Sequence, residues 1–485
     1  MTPSNAGSHL AIDLGASSGR AVIGTLDGTV MRMEEISRFR TPLLERDGHL
    51  FWDVDAMWAD IQTALATAFS HGRPLRSISV DSWAVDYVPL NAEGKRLRLP
   101  YSYRDPRTVG RLETAIRLAG GADALYDRTG IQFLPFNTLP QIVADIEDEP
   151  EVVRKTQVRL LIAEYFLFLL SGTKVAEATM ASTTQLVDAR TGEWSANLLA
   201  AIGDDEHRWP PIVPCGTVLG PLLPELVPRG VHEPPVVIAT CAHDTAAAVA
   251  VVPATGHHAW AFISSGTWSL VGAELAEPVL TREAREASFT NEAGIDGTVR
   301  FLTNRAGMWV LEECRREWEG QGTTYSHDVL LNAAVAAPSM GGTIDLNAPS
   351  FVARGEMGAR IASACRDAGV RAPASHGETA RLILESLAAS HAEALDQLDS
   401  VSGLHIDDVH IVGGGALNDF LNQLTADRSG RRILAGPAEA TVLGNLLVQA
   451  RTLGCLPNGL SVRDVARGST AIREFCCSER SSLSS

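Results

Sequence analysis

His9-Leu-Ala-Ile-Asp-Leu-Gly-Ala-Ser-Ser-Gly-Arg-Ala-Val-Ile-Gly-Thr25 reads as a strand to Leu14, a small-residue turn over Gly15 to Gly19, and a second strand from Arg20. β-branched and small apolar residues follow the turn, so the pattern predicts a hairpin rather than a strand-to-helix switch. Such a turn exposes backbone N–H groups without bulky side chains, which suits a phosphate chain held by main-chain donors. Asp13, just before it, is placed to hold a metal ion through water. The same residues match G-x-S-x-G, the nucleophile elbow of serine hydrolases. An elbow needs a helix after Ser17 and most of a sheet before it, and here a strand follows and almost nothing precedes.

The pattern recurs further on: strand Ala259-Trp-Ala-Phe-Ile263, turn Ser264-Ser-Gly-Thr267, strand Trp268-Ser-Leu-Val-Gly272. Two such units, one opening each half of the chain, predict two related domains facing a shared ligand. Pro253-Ala-Thr-Gly256 marks the boundary. Between the two units, Asp53 or Asp55 caps a helix to about Ser70, and Arg76-Ser-Ile-Ser-Val-Asp81 is a buried strand ending in a carboxylate. Residues 110 to 170 read as largely helical, broken at Gly130 and Pro135. Pro235 to Thr240 forms a strand, and His243-Asp-Thr-Ala-Ala-Ala-Val249 opens an alanine-rich helix. The second half continues with a helix from about Glu378 to Ser400, a strand Val409 to Val412, the turn Gly413-Gly-Gly415, and helices beginning near Asn418 and Glu439. From Ser478 a polar, serine-rich tail is expected to fray.

At 485 residues the chain is too long for one ordinary core. Its 41 Lys and Arg against 58 Asp and Glu give a net charge of −17, which repels nucleic acid and anionic membranes. A phosphate-bearing ligand must therefore be held by local donors and metal. Met1 to Ser8 lacks the basic and apolar regions of a secretory signal. The longest apolar run, Leu160 to Leu170, is interrupted by Glu164 and reads as a buried helix, short of the roughly 20 residues a membrane span needs. Seven scattered cysteines without CxxC pairs fit a reducing compartment and packing roles.

His243-Asp244-Thr245 sits where a strand turns into a helix. A carboxylate there can accept a hydroxyl proton as general base, or can simply cap the helix. Gly413-Gly-Gly415 followed by Ala416-Leu-Asn418 lets a flat ring lie against bare backbone. It is not the dinucleotide fingerprint, and no G-x-x-x-x-G-K-[ST] phosphate loop exists in the chain. Asp81-Ser-Trp-Ala-Val-Asp86 and Tyr103-Arg-Asp105 mix carboxylates, an indole and a guanidinium. That mixture suits sugar hydroxyls, and equally a buried strand beside a loop ion pair.

Taken in order, these segments resemble the FGGY carbohydrate kinases over about Ala11 to Ala450. The likeness is carried by Asp13-Leu-Gly-Ala-Ser-Ser-Gly-Arg20, Gly130-Ile-Gln-Phe-Leu-Pro-Phe-Asn-Thr138, His243-Asp-Thr245, Ile263-Ser-Ser-Gly-Thr-Trp-Ser-Leu270 and Gly436-Pro-Ala-Glu-Ala440. The resemblance implies an α/β fold of two ribonuclease-H-like domains, of the actin and hexokinase type, with an interdomain active-site cleft. The domains are expected at 1–250 (sugar and phosphate) and 251–450 (nucleotide), with a tail at 451–485. It further implies phosphorylation of a ketose by ATP with Mg²⁺: L-rhamnulose at its 1-hydroxyl, with L-fuculose or L-xylulose as alternatives.

By that similarity Asp244 is the base, and Asp13 and Asp244 hold the metal. Ala16, Ser17, Ser18, Gly19, Arg20 and Thr267 cradle phosphates. Glu312 and Gly415 lie by the nucleotide, Asn304 by nucleotide and ketose, and Ala84, His243, Asp244 and Thr245 by the ketose. Position 84 is Ala where Gly is expected, and 312 is Glu where some members carry Gln. A cytoplasmic monomer or homodimer, without nucleic-acid or membrane partners, is expected. A catalytically silent sugar-binding regulator on the same fold is the reading outside enzymes, and intact Asp13, Asp244 and Thr267 argue against it.

Overall fold

The computed structural model describes residues 7–255, 258–352 and 354–478. The chain divides into two compact units, the first made of residues 1–253, 274–301 and 440–470, the second of 254–273, 302–439 and 471–485. The expected frayed tail from Ser478 lies, apart from Ser478 itself, outside the described residues.

In the first unit, Ser8–Leu14 pairs antiparallel with Ser18–Asp27, which pairs antiparallel with Val30–Arg40. On its other side Ser8–Leu14 runs parallel to Leu75–Ser82, which runs parallel to Val236–Ala239, and Thr217–Pro221 closes the edge antiparallel. A strand that starts at Ser18 leaves no helix after Ser17, so the hydrolase elbow is absent.

Side chains alternate across these strands. Leu10, Ile12, Leu14, Ile78 and Val80 join one apolar cluster with Met57 and Ile61 of helix Val54–Phe69 and with Phe166 of helix Ile162–Ser171. Asp53 caps the first of those helices, its side chain accepting from Ala56 N. The opposite face is polar and buried: Ser77 donates to Gln449 Oε1 at 2.6 Å, and Asn445 Nδ2 donates to Asp81 Oδ2 at 2.5 Å. Both partners belong to helix Ala440–Thr452.

Residues 110 to 170 are largely helical and broken at Gly130 and Pro135, as expected, with one exception. Helices Arg111–Leu118, Ala122–Thr129, Thr138–Asp148 and Pro150–Lys155 are followed by a strand, Val158–Leu161, paired antiparallel with Tyr87–Leu90. The helix read over Leu160 to Leu170 therefore begins at Ile162. Strand and helix are equally apolar here, so periodicity alone could not separate them.

The second unit's hairpin is paired in the same way as the first unit's, within a sheet of seven strands against six. Trp260–Ser265 and Trp268–Leu275 form an antiparallel hairpin. Trp260–Ser265 runs parallel to Asp408–Val412, which runs parallel to Arg432–Ala435, and Arg473–Phe475 closes the edge antiparallel. The core gathers Val310 and Trp318 of helix Trp309–Gly320 with Ile361 of Met357–Ala368 and with Leu382 and Leu387 of the long helix His376–Ser402.

Candidate active site

Three carboxylates meet at the carboxyl ends of the first unit's parallel strands, where open sheets place their chemistry. Asp13 and Asp81 are register partners on adjacent parallel strands. Asp244 follows the third: Ser82 bridges to His243, and Ser82 N donates to Ala242 O at 2.9 Å. Asp244 is the first residue of helix Asp244–Ala250, and the cap position belongs to His243, so the capping reading of Asp244 is not what the structure shows. Its Oδ1 accepts from Thr245 N at 2.5 Å and Thr245 Oγ1 at 3.1 Å, and lies 3.4 Å from His243 Nε2. These contacts all fall on Oδ1, which leaves Oδ2 for a hydroxyl proton.

Burial raises the pKa of Asp13, Arg20 opposes the rise, and the charge of Asp244 adds to it. Arg20 Nε donates to Asp13 Oδ2 at 2.9 Å. Asp81 is held well above the usual range by burial and by the charge of Asp13. Its Oδ1 is buried with no hydrogen-bond partner. Among the described residues no group of three His, Cys, Asp or Glu side chains could hold a metal ion by itself, but Mg²⁺ needs only one or two oxygen ligands from protein, and carboxylates here can supply them. Asp81 was legible as the end of a buried strand and as part of a mixture suited to sugar hydroxyls, but not as a neighbour of Asp13 and Asp244.

The turn expected to cradle phosphate is a tight one: Gly15 N donates to Ser18 O at 3.0 Å, and Thr41 Oγ1 to Gly15 O at 2.9 Å. Ser17 and Ser18 are exposed, Ala16 and Arg20 partly so, and Gly19 is buried. Ala84 lies in the loop after Leu75–Ser82, partly exposed. Val85 beside it has φ +69°, a strained value for a β-branched residue. Thr138 Oγ1 donates to Val85 O at 2.7 Å and holds it there. Asp86 anchors the loop: its carboxylate accepts from Trp52 Nε1, Trp83 Nε1, Gln141 Nε2 and Tyr103 N at 2.6 to 3.1 Å. Burial lifts its pKa to about 6 against those four donors. The mixture at Asp81 to Asp86 thus divides into a site carboxylate and a structural one.

Behind the His243–Asp244 turn lies a second buried pair that the sequence did not announce. Glu177 Oε2 accepts from Thr179 Oγ1 at 2.5 Å and from Ala242 N at 3.0 Å, and Thr179 Oγ1 stands 3.3 Å from His243 N. Glu164 Oε1 accepts from Glu177 N at 3.0 Å, and burial raises its pKa to about 8.

In the second unit a cavity of about 470 Å³ is lined by Gly266, Leu311, Glu312, Leu331, Gly415 and Asn418 among others. Its wall is tied together by Met308 N donating to Gly266 O and Trp309 N to Thr267 O, so the hairpin turn is bonded to the start of helix Trp309–Gly320. Gly415 packs bare backbone on Ser265, where a Cβ would fall 2.0 Å from Oγ. Glu312 is bound by Arg315 Nη1 at 2.8 and 3.0 Å. Of the residues expected by the nucleotide, Glu312 and Gly415 line this cavity and Thr267 adjoins it. Asn304 lies partly exposed on strand Val299–Ala306 and is not among the lining residues.

Residues 8–250 match the N-terminal domain, and 261–453 the C-terminal domain, of the FGGY family of carbohydrate kinases. The chain is 39% identical over 470 residues to the rhamnulokinase of Bacillus subtilis, covering 96% of this chain and 95% of that one. It is 41% identical over 468 residues to the rhamnulokinase of Klebsiella pneumoniae, covering 96% and 94%. Among solved structures, Plasmodium falciparum glycerol kinase with ADP superposes with a TM-score of 0.79 at 16% identity, covering 98% of this chain and 95% of that one. A ligand-bound xylulose kinase from Lactobacillus acidophilus gives 0.78 at 18%, with the same coverage. These two are likenesses of fold. The two family domains and the near-full-length relatives settle the membership: this chain belongs to the FGGY family of carbohydrate kinases.

Proposed function

We propose that the chain phosphorylates L-rhamnulose at its 1-hydroxyl with ATP, giving L-rhamnulose 1-phosphate and ADP in L-rhamnose degradation. The observation that carries the substrate is the 39% and 41% identity to rhamnulokinases over nearly the whole length of both chains. The reaction rests on the family together with a base-like carboxylate at a strand-to-helix turn.

In this reading Asp244 Oδ2 accepts the proton of the sugar's primary hydroxyl as that oxygen attacks the γ-phosphorus. Ala84, His243 and Thr245 contact the ketose, and Asn304 keeps the role the resemblance gives it. The turn over Ala16 to Gly19, with Arg20, and the turn at Thr267 offer donors to phosphate. Glu312, paired with Arg315, and Gly415 line the nucleotide pocket. ATP supplies the phosphoryl group; Asp13 and Asp244 would hold Mg²⁺, which would supply positive charge to offset that of the phosphates. The division at residue 250, with a tail from 451, is our proposal for the boundaries of the two family domains, supported by the matches at 8–250 and 261–453; the compact units cross it, since 274–301 and 440–470 belong to the first.

We place the protein in the cytoplasm as a monomer or homodimer, without nucleic-acid or membrane partners. The seven free cysteines support a reducing compartment. Among the described residues no helix is long and apolar enough to cross a membrane.

A coupled ADP-release assay with Mg-ATP and L-rhamnulose, L-fuculose, L-xylulose, L-ribulose and glycerol tests the reading. Preference for L-rhamnulose supports it. Preference for another ketose keeps the chemistry and moves the substrate, with Ala84 the first position to revert to Gly.

A further inference from the structure

His243 is buried at the cap of the helix that Asp244 begins. Its Nδ1 lies 3.1 Å from Arg300 Nη2 and 3.4 Å from Glu292 Oε2. Its Nε2 lies 3.4 Å from Asp244 Oδ1. Arg300 is fully buried, with Nε donating to Ala293 O at 3.0 Å and Nη2 standing 3.0 Å from Glu292 Oε2. Against burial, which raises its pKa, the charge of Arg300 and the contact with His243 hold the Glu292 carboxyl below its ordinary range.

A guanidinium carries only donors and keeps its proton in proteins. The 3.1 Å contact is therefore a hydrogen bond only if Nη2 donates and Nδ1 accepts. Nδ1 is then bare, and the neutral ring carries its hydrogen on Nε2, facing Asp244. The opposite tautomer would set an N–H of the ring against an N–H of Arg300. Glu292 Oε2, at the longer 3.4 Å, is buried without a hydrogen-bond partner and is the acceptor that the opposite tautomer would use. Which nitrogen of an imidazole bears the proton is set by the partner of the other, and here that partner is fixed by burial and charge.

We propose that Arg300, backed by Glu292, is a positioning residue for the kinase reaction, locking His243 as the Nε2–H tautomer so that it donates to Asp244 Oδ1 at rest and to an acceptor oxygen of the bound ketose. This rests on the reading that His243 and Asp244 form the sugar site. It assigns His243 a donor role, and it joins residues 49 and 57 positions apart from it in sequence, which no local motif could reveal.

Two-dimensional spectra correlating imidazole nitrogens with ring protons in the ¹⁵N-labelled full chain read the tautomer directly, with His243 assigned by its disappearance in His243→Gln. A bare Nδ1 and protonated Nε2 are expected. A protonated Nδ1, or averaging between the two forms, overturns the proposal. Arg300→Lys keeps a donor and should keep the tautomer, whereas Arg300→Met leaves Glu292 as the partner and should move the proton to Nδ1. In the same variant KM for the ketose should rise roughly tenfold to a hundredfold, with KM for Mg-ATP unchanged and recovery in the Lys variant. A folded Arg300→Met with the wild-type tautomer and ketose KM refutes the idea. Should that variant not fold, the wild-type spectrum and Arg300→Lys still decide it. Because the spectra need no turnover, an Nε2–H result without ketose phosphorylation would count against the functional reading alone.

Discussion

In the proposed reaction the chemistry rests on single residues, and most of it on Asp244. Removing a positioned general base costs a hydroxyl nucleophile its proton acceptor, so Asp244→Asn should lower kcat by about 10²- to 10⁴-fold with the fold intact. Steady-state assays together with circular dichroism check both halves, and a folded variant near the wild-type rate would remove Asp244 from the chemistry. Glu164 makes a prediction of a different kind. Its folded pKa is about 8 against an ordinary 4.5, so between those values the native state keeps a proton that the unfolded chain has released. Stability then falls as pH rises across that window, by up to ~1.4 kcal/mol per unit. Glu164→Gln keeps an acceptor for Glu177 N and removes the titration. Its melting temperature relative to wild type should climb from pH 5 to about 8 and level off above; a constant offset would mean that Glu164 is ionised in the folded protein. Asp13 and Asp244 were legible in sequence because each adjoins a small-residue turn or a helix start. Glu164 was visible only as an interruption of an apolar run, and Glu292 and Arg300 not at all, since a role that depends on distant burial leaves no spacing to read.

At the scale of elements, the placement of Asp244, the proposed base, depends on how closely two helices approach. Gly444 of helix Ala440–Thr452 faces helix Asp244–Ala250 so tightly that a Cβ would fall 1.9 Å from Ala247 O and 2.6 Å from its carbonyl carbon. Backbone cannot rotate aside as a side chain can, so one helix must move. Gly444→Ala should therefore destabilise the protein by about 1–3 kcal/mol and depress kcat, because Asp244 begins the helix that is pushed. Gly320→Ala, at a helix end with open space around it, is the matched control and should do neither. Denaturant melts and kcat on both variants separate a local clash from a general intolerance of alanine. The two hairpins were readable because turn and strand chemistry agree there: Gly15-Ala-Ser-Ser-Gly19 and Ser264-Ser-Gly-Thr267 each sit between β-rich runs. Strand Val158–Leu161 was not, because it passes directly into an equally apolar helix. The edge strand Thr217–Pro221 was missed for another reason: it contains a glycine and ends in a proline, and is partly exposed along much of its length, so it lacks the clean alternation of a half-buried strand.

The whole molecule is woven rather than strung, and this is what a linear reading could not show. Hydrophobic period gives an element's type and says nothing about which sheet it will cover, so helix Ala440–Thr452 could only be read as following its neighbours in sequence. In the structure it supplies Asn445 and Gln449 to the buried polar face of the first sheet. The chain beyond it serves both units. Helix Val462–Ser469, opened by a capping box of Ser461 and Asp464, belongs to the first: Met31 N donates to Ser469 Oγ at 2.8 Å, and Arg463 Nη2 to Glu274 Oε2 at 2.5 Å. Strand Arg473–Phe475 closes the edge of the second unit's sheet beside Arg432–Ala435. The family's C-terminal match stops at residue 453, short of both elements. A chain ending at Leu453 would retain every proposed site residue, yet uncover apolar surface that Val462, Val465 and Ala466 bury and leave a sheet edge unpaired. It should therefore unfold at a lower temperature than the full chain and aggregate more readily on heating, while any folded fraction keeps its KM for Mg-ATP. Thermal unfolding with light scattering, run beside the full-length protein, decides the matter: an unchanged midpoint would make residues 454–478 dispensable to both units, and a lost nucleotide KM would show that they shape the pocket as well.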